Sequence, residues 1–157
     1  MSHDVKVLPI EPSHLDTLLV LCAEHAVYEN ADFREHGQVE RWRSALFAAE
    51  PRLHGWIATD GGEPCGYMTA TVDFATWSAA PFAYMDCLYL RESHRGLGLG
   101  RVFLDRLREF ARANGCGWAE WQTPEDNALG IGFYRRMGAT SRTKARFTYD
   151  VGERGGS

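Results

Sequence analysis

RGLGLG, Arg95 to Gly100, lies between the apolar run FAYMDCLYL (residues 82–90) and the segment VFLDRLREFARANG (residues 102–115). Three glycines in six residues weaken any helix or strand that contains them, because glycine forfeits backbone entropy and fills no space. The segment behind them reads as a helix: Val102, Phe103, Leu107, Phe110 and Ala111 recur at helical intervals, and Asn114-Gly115 closes it. The run before them reads as a strand, so the glycines stand where a strand turns into a helix. A helix N-terminus offers unpaired N–H groups and partial positive charge, which suit an anion, and Arg95 and Arg101 add guanidinium groups beside it. Phosphate is the expected guest.

Three phosphate ligands compete. A nucleotide P-loop fails because no Gly-Lys-Ser/Thr follows. A dinucleotide fold finds an acid at Glu120, 20 residues past Gly100, but the glycines run GxGxG rather than GxGxxG. The charged segment RESHR also separates strand from loop, and only 57 residues remain for the rest of a parallel sheet. A coenzyme A pyrophosphate meets neither objection.

Outward from the loop, VKVLPI reads as a first strand, and Ser13 with Asp16 has capping-box spacing before a helix faced by Leu15, Leu18, Leu19, Cys22 and Ala26. A second helix is expected over Gln38 to Ala49. HGWIATD and CGYMTATVDF flank Asp60-Gly61-Gly62-Glu63, a hairpin signal. Beyond the helix that follows RGLGLG, WAEWQ reads as a short strand, Asn127 to Met137 as a helix and SRTKARFTYD as a last strand. This order predicts an α/β fold with a mixed sheet and helices on its faces.

At 157 residues, 45% hydrophobic and 24% charged, the chain is expected to form one domain over residues 1–150 with a frayed tail over 151–157. No signal peptide or membrane-length apolar run is read, so a cytoplasmic location without membrane partner is expected. The net charge of -4 argues against nucleic acid. It is unevenly spread: residues 1–90 carry 5 basic against 13 acidic groups and residues 91–157 carry 12 against 8, so the halves are -8 and +4. That distribution suits an anion held by the second half and a cation by the first. Cys22, Cys65, Cys87 and Cys116 form no CxxC pair and signal neither zinc site nor disulfide framework. His25, His36, His54 and His94 lack metal-ligand spacing, and no metal is expected. Trp77, Trp118 and Trp121 read as core or pocket wall.

RGLGLG resembles the acetyl-CoA loop Arg/Gln-x-x-Gly-x-Gly/Ala of the GNAT family of N-acetyltransferases, starting at Arg95. NALGIGFYRRMGA, Asn127 to Ala139, resembles the same family's Asn-x-x-Ala-x-x-Phe-Tyr-x-x-x-Gly-Phe/Ala segment, with Gly130 where alanine is usual. Within the family the likeness leans to the diamine (spermidine/spermine) acetyltransferase group. AVYEN, residues 26–30, is similar to its Lys-Tyr-Glu segment. FATWSAAPFAYMDCLYL, residues 74–90, is similar to its Phe-x-Thr-Tyr/Trp strand followed by Tyr-Leu/Met-Glu-Asp. Asp86-Cys87 stands where that group has Glu-Asp, so one acid is missing.

The resemblance implies a mostly antiparallel central sheet, a homodimer, and acetyl transfer from acetyl-CoA to a primary amine of a small molecule by direct attack. Acetylation of protein N-termini or lysines is the alternative within enzymes, and a CoA-binding sensor the alternative outside them. The resemblance also implies roles. Asp86 is the candidate base and Tyr134 the candidate acid beside the departing CoA sulfur. Cys87, Leu88 and Tyr89 would lend backbone to the pantetheine arm, which Asn127 and Tyr134 would also touch. Arg95, Gly96, Leu97, Gly98, Leu99, Gly100 and Arg101 would hold the pyrophosphate. Tyr28, Glu29 and Asp86 would face the amine, with Glu24, Asp32 and Asp73 on the same acidic side. Cys87 as an acetylated nucleophile is the less favoured route, because no local motif places a histidine beside it.

Overall fold

In the computed structural model, which describes residues 2–152, the chain falls into two units, one running to Pro124 and the other beginning at Glu125. The first contains strands β1 (Val5–Pro9), β2 (His54–Asp60), β3 (Glu63–Ala75), β4 (Ala80–Leu90) and β5 (Ala119–Trp121) and helices α1 (Leu15–Tyr28), α2 (Gln38–Leu46) and α3 (Leu99–Ala113). The second contains α4 (Ala128–Arg136). The strands form one sheet in the order β1-β2-β3-β4-β5, antiparallel throughout except for the parallel pair β4·β5. The β2–β3 turn places Gly61 at φ 56° and Gly62 at φ 89°. A two-residue type I′ hairpin loop, which follows the twist of its strands, places both central residues at positive φ, which glycine adopts at no steric cost.

Residue alternation gives each sheet face its own core. Ile57, Tyr67 and Tyr89 stand in register across β2, β3 and β4 and pack with Ile10, Leu15, Leu18, Leu21 and Leu46, so α1 and α2 cover this face. On the opposite face the Phe110 ring of α3 lies 4.6 Å from His54 and 5.5 Å from Trp56. Leu99, Phe103, Leu107 and Ala111 are buried along the same helix. Phe103 has no exposed surface, a burial that contributes about 1.5–3 kcal/mol.

One irregularity interrupts the alternation. Thr69 pairs with Cys87, whereas Ala70 pairs with Met85, so Asp86 is an extra residue on β4. The bulge reverses which side chains face which layer: Cys87 and Tyr89 share the α1 face with Tyr67 and Thr69, and Met85 shares the α3 face with Ala70. A second bulge lies opposite the Ala58–Thr59 step of β2, where Cys65 is the extra residue on β3.

Several expectations differ in detail. Ser13 does not cap α1; Pro12–His14 form a single 3-10 turn in which the Glu11 N–H donates to His14 Nδ1 at 2.9 Å, and the helix follows at Leu15. Proline at the first position favours that tight turn. Leu21, absent from the expected apolar face, is fully buried. α2 stops at Leu46, short of Ala49. Residues 141–150 form no strand, and Phe147 and Tyr149 are exposed; alternation alone makes no strand without a partner to complete its hydrogen bonds. Trp77, read as core or pocket wall, is fully exposed at the β3–β4 turn. Trp118 stacks on Phe82 with ring centroids 5.4 Å apart, and Trp121 is half-buried. Residues 153–157 of the expected tail lie outside the described residues.

Candidate active site

The RGLGLG loop holds two left-handed glycines, Gly96 at φ 76° and Gly98 at φ 83°, and α3 begins directly after Gly98. A Cβ on either would meet nothing within 4 Å, so the backbone angle and not lack of room requires glycine there. The first bond back to the loop is Val102 N–H to the Gly98 carbonyl at 3.3 Å, which leaves the amides of Leu99, Gly100 and Arg101 outside the helix ladder. Leu97 is exposed beside them. The Arg95 side chain donates from Nε to the Leu90 carbonyl at 3.0 Å, and its guanidinium carbon lies 4.6 Å above the centre of the Tyr28 ring. Tyr28, expected to face the amine, therefore sits under the arginine that starts the glycine loop.

Two features single out β4 just before this loop. β5 follows it only from Ala83↔Ala119 to Met85↔Trp121, so from Asp86 to Leu90 one edge of β4 has no strand beside it among the described residues. Asp86, the bulge residue at the start of that edge, is exposed.

On the α1 side of this edge a chain of polar groups runs between helix and sheet. Glu29 Oε1 lies 3.2 Å from His25 Nε2, and His25 Nδ1 lies 2.7 Å from the Tyr67 hydroxyl. A carboxylate only accepts, so Nε2 carries the proton and Nδ1 accepts from Tyr67. The same hydroxyl is in hydrogen-bonding reach of the Cys22 and Cys87 thiols. His25 also stacks on Tyr89, centroids 5.2 Å apart and planes 20° from parallel. Burial pushes its pKa below the ordinary 6.5, partly offset by Glu29 and by the Asp86 charge, so the imidazole is neutral at pH 7. Burial and the Asp86 charge push the Cys87 thiol up to about 12, and the same two causes raise Cys22. Burial, with the two thiols beside it, raises Tyr67 far above the phenol range.

Glu24 is committed elsewhere. It takes a two-pronged ion pair from Arg91, Nε at 3.0 Å and Nη2 at 2.9 Å, and a 3.4 Å bond from the Tyr89 hydroxyl, while Arg91 Nη1 donates to the Pro64 carbonyl. Asp73 stands opposite Phe82, out along the β3–β4 hairpin beyond the bulge, and Asp32 is exposed in the connection between α1 and α2. Of the acidic residues expected to share one side, Glu29 contacts the His25 imidazole, and the Asp86 charge acts on it.

In the second unit Asn127 caps α4, its Oδ1 accepting the Gly130 N–H at 3.2 Å. A Cβ on Gly130 would lie 2.4 Å from Asn127 Nδ2, so the glycine where the family has alanine leaves space for this cap. Tyr134 is half-buried on the same helix, 5.4 Å from the Phe133 ring.

The sequence pattern described as the Acetyltransferase (GNAT) family matches residues 19–139, from α1 through α4. The chain belongs to the GNAT acetyltransferase family. This acetyltransferase is 27% identical over 146 residues to a thialysine N-epsilon-acetyltransferase of Caenorhabditis elegans, covering 92% of the chain and 89% of that protein. It is 32% identical over 90 residues to a streptothricin acetyltransferase of Streptomyces lavendulae, covering 57% of the chain and 45% of that protein. A solved aminoglycoside N-acetyltransferase in complex with CoA superposes with a TM-score of 0.80 at 14% identity, covering 96% of this chain and 97% of that one.

The sequence reading did not place His25, Tyr67 and Cys22 of this acetyltransferase among the candidate site residues. His25 could have been found, since it precedes Glu29 by four residues and so shares its helix face. Cys22, three residues before His25, shares that face too, whereas Tyr67 carries no local signal, because its meeting with them depends on how α1 crosses β3.

Proposed function

We propose that this acetyltransferase uses acetyl-CoA to acetylate a primary amine of a small molecule whose other end is polar or charged, by direct attack within a ternary complex. The observation that carries the reading is the bulge at Asp86. It sets a carboxylate at the head of the unpaired β4 edge, where its charge acts on the His25 imidazole that Glu29 holds, nine residues before the loop expected to hold pyrophosphate. In this reading the open edge at Cys87, Leu88 and Tyr89 receives the pantetheine arm. The Leu99, Gly100 and Arg101 amides, with Arg95, take the phosphates.

An alkylamine of pKa about 10.4 is almost wholly protonated at pH 7, and reaching the free base costs about 4.6 kcal/mol. Asp86 takes that proton, directly or through water, while Glu29 compensates the ammonium for lost hydration. The acetyl group passes straight to nitrogen and not through Cys87. With its pKa at about 12, that thiol is ionised to roughly one part in a hundred thousand at pH 7. Tyr134 supplies a hydrogen bond to the departing thiolate and Asn127 binds the pantetheine arm, roles that rest on the resemblance. An assembly of two copies rests on it too, while a cytoplasmic location rests on the reading of the sequence. Among the described residues no helix is long and apolar enough to cross a membrane.

The similarity to thialysine acetyltransferases supports an amino-acid-like amine, and Cys87 in place of a second acid supports a short acceptor over a long polyamine. The test is a panel of acceptors with acetyl-CoA: short diamines, lysine analogues, spermine, aminoglycosides and peptides. The expected ranking puts short diamines or amino-acid-like amines first by kcat/KM. Spermine in first place removes the Cys87 argument, and acetylation of peptides alone removes the small-amine reading.

A further inference from the structure

His3, Asp60 and His94 are far apart in sequence and meet at one end of the sheet: His3 precedes β1, Asp60 ends β2, and His94 lies in the 3-10 turn Glu92–His94. His3 Nδ1 is 2.5 Å and His94 Nε2 is 3.2 Å from the same carboxylate oxygen, Asp60 Oδ2, and the three atoms all lie within 4.8 Å of one another. The rings stand edge to face, 5.8 Å between centroids. We propose that these three residues bind a divalent transition-metal ion of the zinc class.

The second layer of contacts is arranged as a metal site requires. Asp60 Oδ1 accepts the Asp4 N–H at 3.0 Å, which holds Oδ2 toward the imidazoles. His94 Nδ1 lies 2.8 Å from Ser93 Oγ, a partner for its N–H when Nε2 offers a lone pair. Ligand atoms about 2.0–2.1 Å from a tetrahedral zinc stand about 3.3 Å apart, which the His94–Asp60 pair already satisfies. The His3–Asp60 pair must open by under about 1 Å, which residue 3, with its side chain 44% exposed, allows. Two imidazoles and one carboxylate suit zinc, with a fourth position left to water, better than magnesium or calcium, which prefer all-oxygen shells.

Such an ion ties the segment before β1, the end of β2 and the turn that precedes Arg95 into one cross-link. It is a structural tie at the entrance to the glycine loop and takes no part in acetyl transfer. Sequence spacing could not disclose it, since 57 residues separate His3 from Asp60 and 34 separate Asp60 from His94.

The test titrates zinc chloride into the untagged, chelator-stripped full chain by calorimetry at pH 7.5. One equivalent is expected to bind with a Kd of about 10 μM or tighter, and Asp60→Asn or His94→Gln should weaken it at least about tenfold. His3→Ala, which lies before the first strand and leaves the core intact, should do the same. His36→Gln, exposed and outside the cluster, should bind as the natural chain does. Saturating zinc should raise Tm in the natural chain and not in His94→Gln. Absence of saturable uptake, or uptake unchanged in Asp60→Asn, His94→Gln and His3→Ala alike, would leave only a hydrogen-bonded triad and overturn the proposal.

Discussion

At the residue scale, Asp86 and Glu29 are two carboxylates with different surroundings. Asp86 is exposed on a bulge, whereas Glu29 is held by a neutral imidazole. Asp86→Asn keeps the shape and removes the proton acceptor. We expect kcat to fall at least about tenfold and the pH optimum to move up, since the amine must then lose its proton to solvent. Glu29→Gln should leave kcat nearly unchanged and raise the KM for amine several-fold, as expected for a group that binds ground and transition states alike. Steady-state kinetics across pH separate the two. Tyr134→Phe keeps the ring and deletes the hydroxyl, so turnover should fall at least about tenfold while calorimetric CoA affinity stays the same. Unchanged turnover would leave Tyr134 a packing residue. Asp86, Glu29 and Tyr134 could all be named from sequence because a motif surrounds each of them. The His25–Tyr67 bond could not, since 42 residues separate its partners and neither stretch anticipates the other.

At the scale of elements, the glycine loop was legible because its logic is local: a strand, a break, a helix face and a closing Asn-Gly all lie within about thirty residues. The structure adds the reason for two of its glycines, Gly96 and Gly98, which is backbone angle. Gly98→Ala would meet open space yet pay about 1–2 kcal/mol for a left-handed residue with a side chain. A loop that shifts to escape that strain should bind acetyl-CoA about five- to thirty-fold more weakly, with amine KM little altered. Arg95→Ala should show the same selectivity, and would also release Tyr28 and the Leu90 carbonyl. Equal CoA affinity in both variants, measured calorimetrically, would remove the phosphate reading of the loop. The β2–β3 hairpin was equally legible. The bulge was not, because it is a mismatch of count between two strands and neither strand's sequence contains it.

At the scale of the molecule, pH acts through histidines half-buried in the neutral form. Burial lowers the pKa of His54, which packs against Phe110, and of His25, where Glu29 and Asp86 oppose the shift. A folded-state pKa below the unfolded 6.5 means the unfolded chain binds more protons in that interval. Stability is therefore full above about pH 6.5 and is lost as pH falls from there through the folded values. Calorimetric Tm should hold between pH 8 and 7 and decline below about 6.5, and His54→Gln should make the decline shallower. A Tm that rises on acidification would contradict the burial of both rings. Composition and periodicity anticipated the mixed sheet and the helices on its faces. They overstated the C-terminal strand, because the alternation of Phe147 and Tyr149 describes a side-chain pattern and a strand needs a neighbour.

The extra residue on β4 separates two properties that most strand positions bind together. In a regular strand, any side chain that faces a cavity is also one beat of the two-beat rhythm that holds the layers apart, so its chemistry and its packing must change together. Position 86 stands off the beat. Its carboxylate can be exchanged for an amide, a longer acid or a hydroxyl by a single substitution, while Met85 and Cys87 keep their opposite faces because the chain length between them is unaltered. A deletion there would disturb them, by turning Met85 toward α1. Position 86 is thus open to revision one residue at a time, on a frame that point mutation there does not reach.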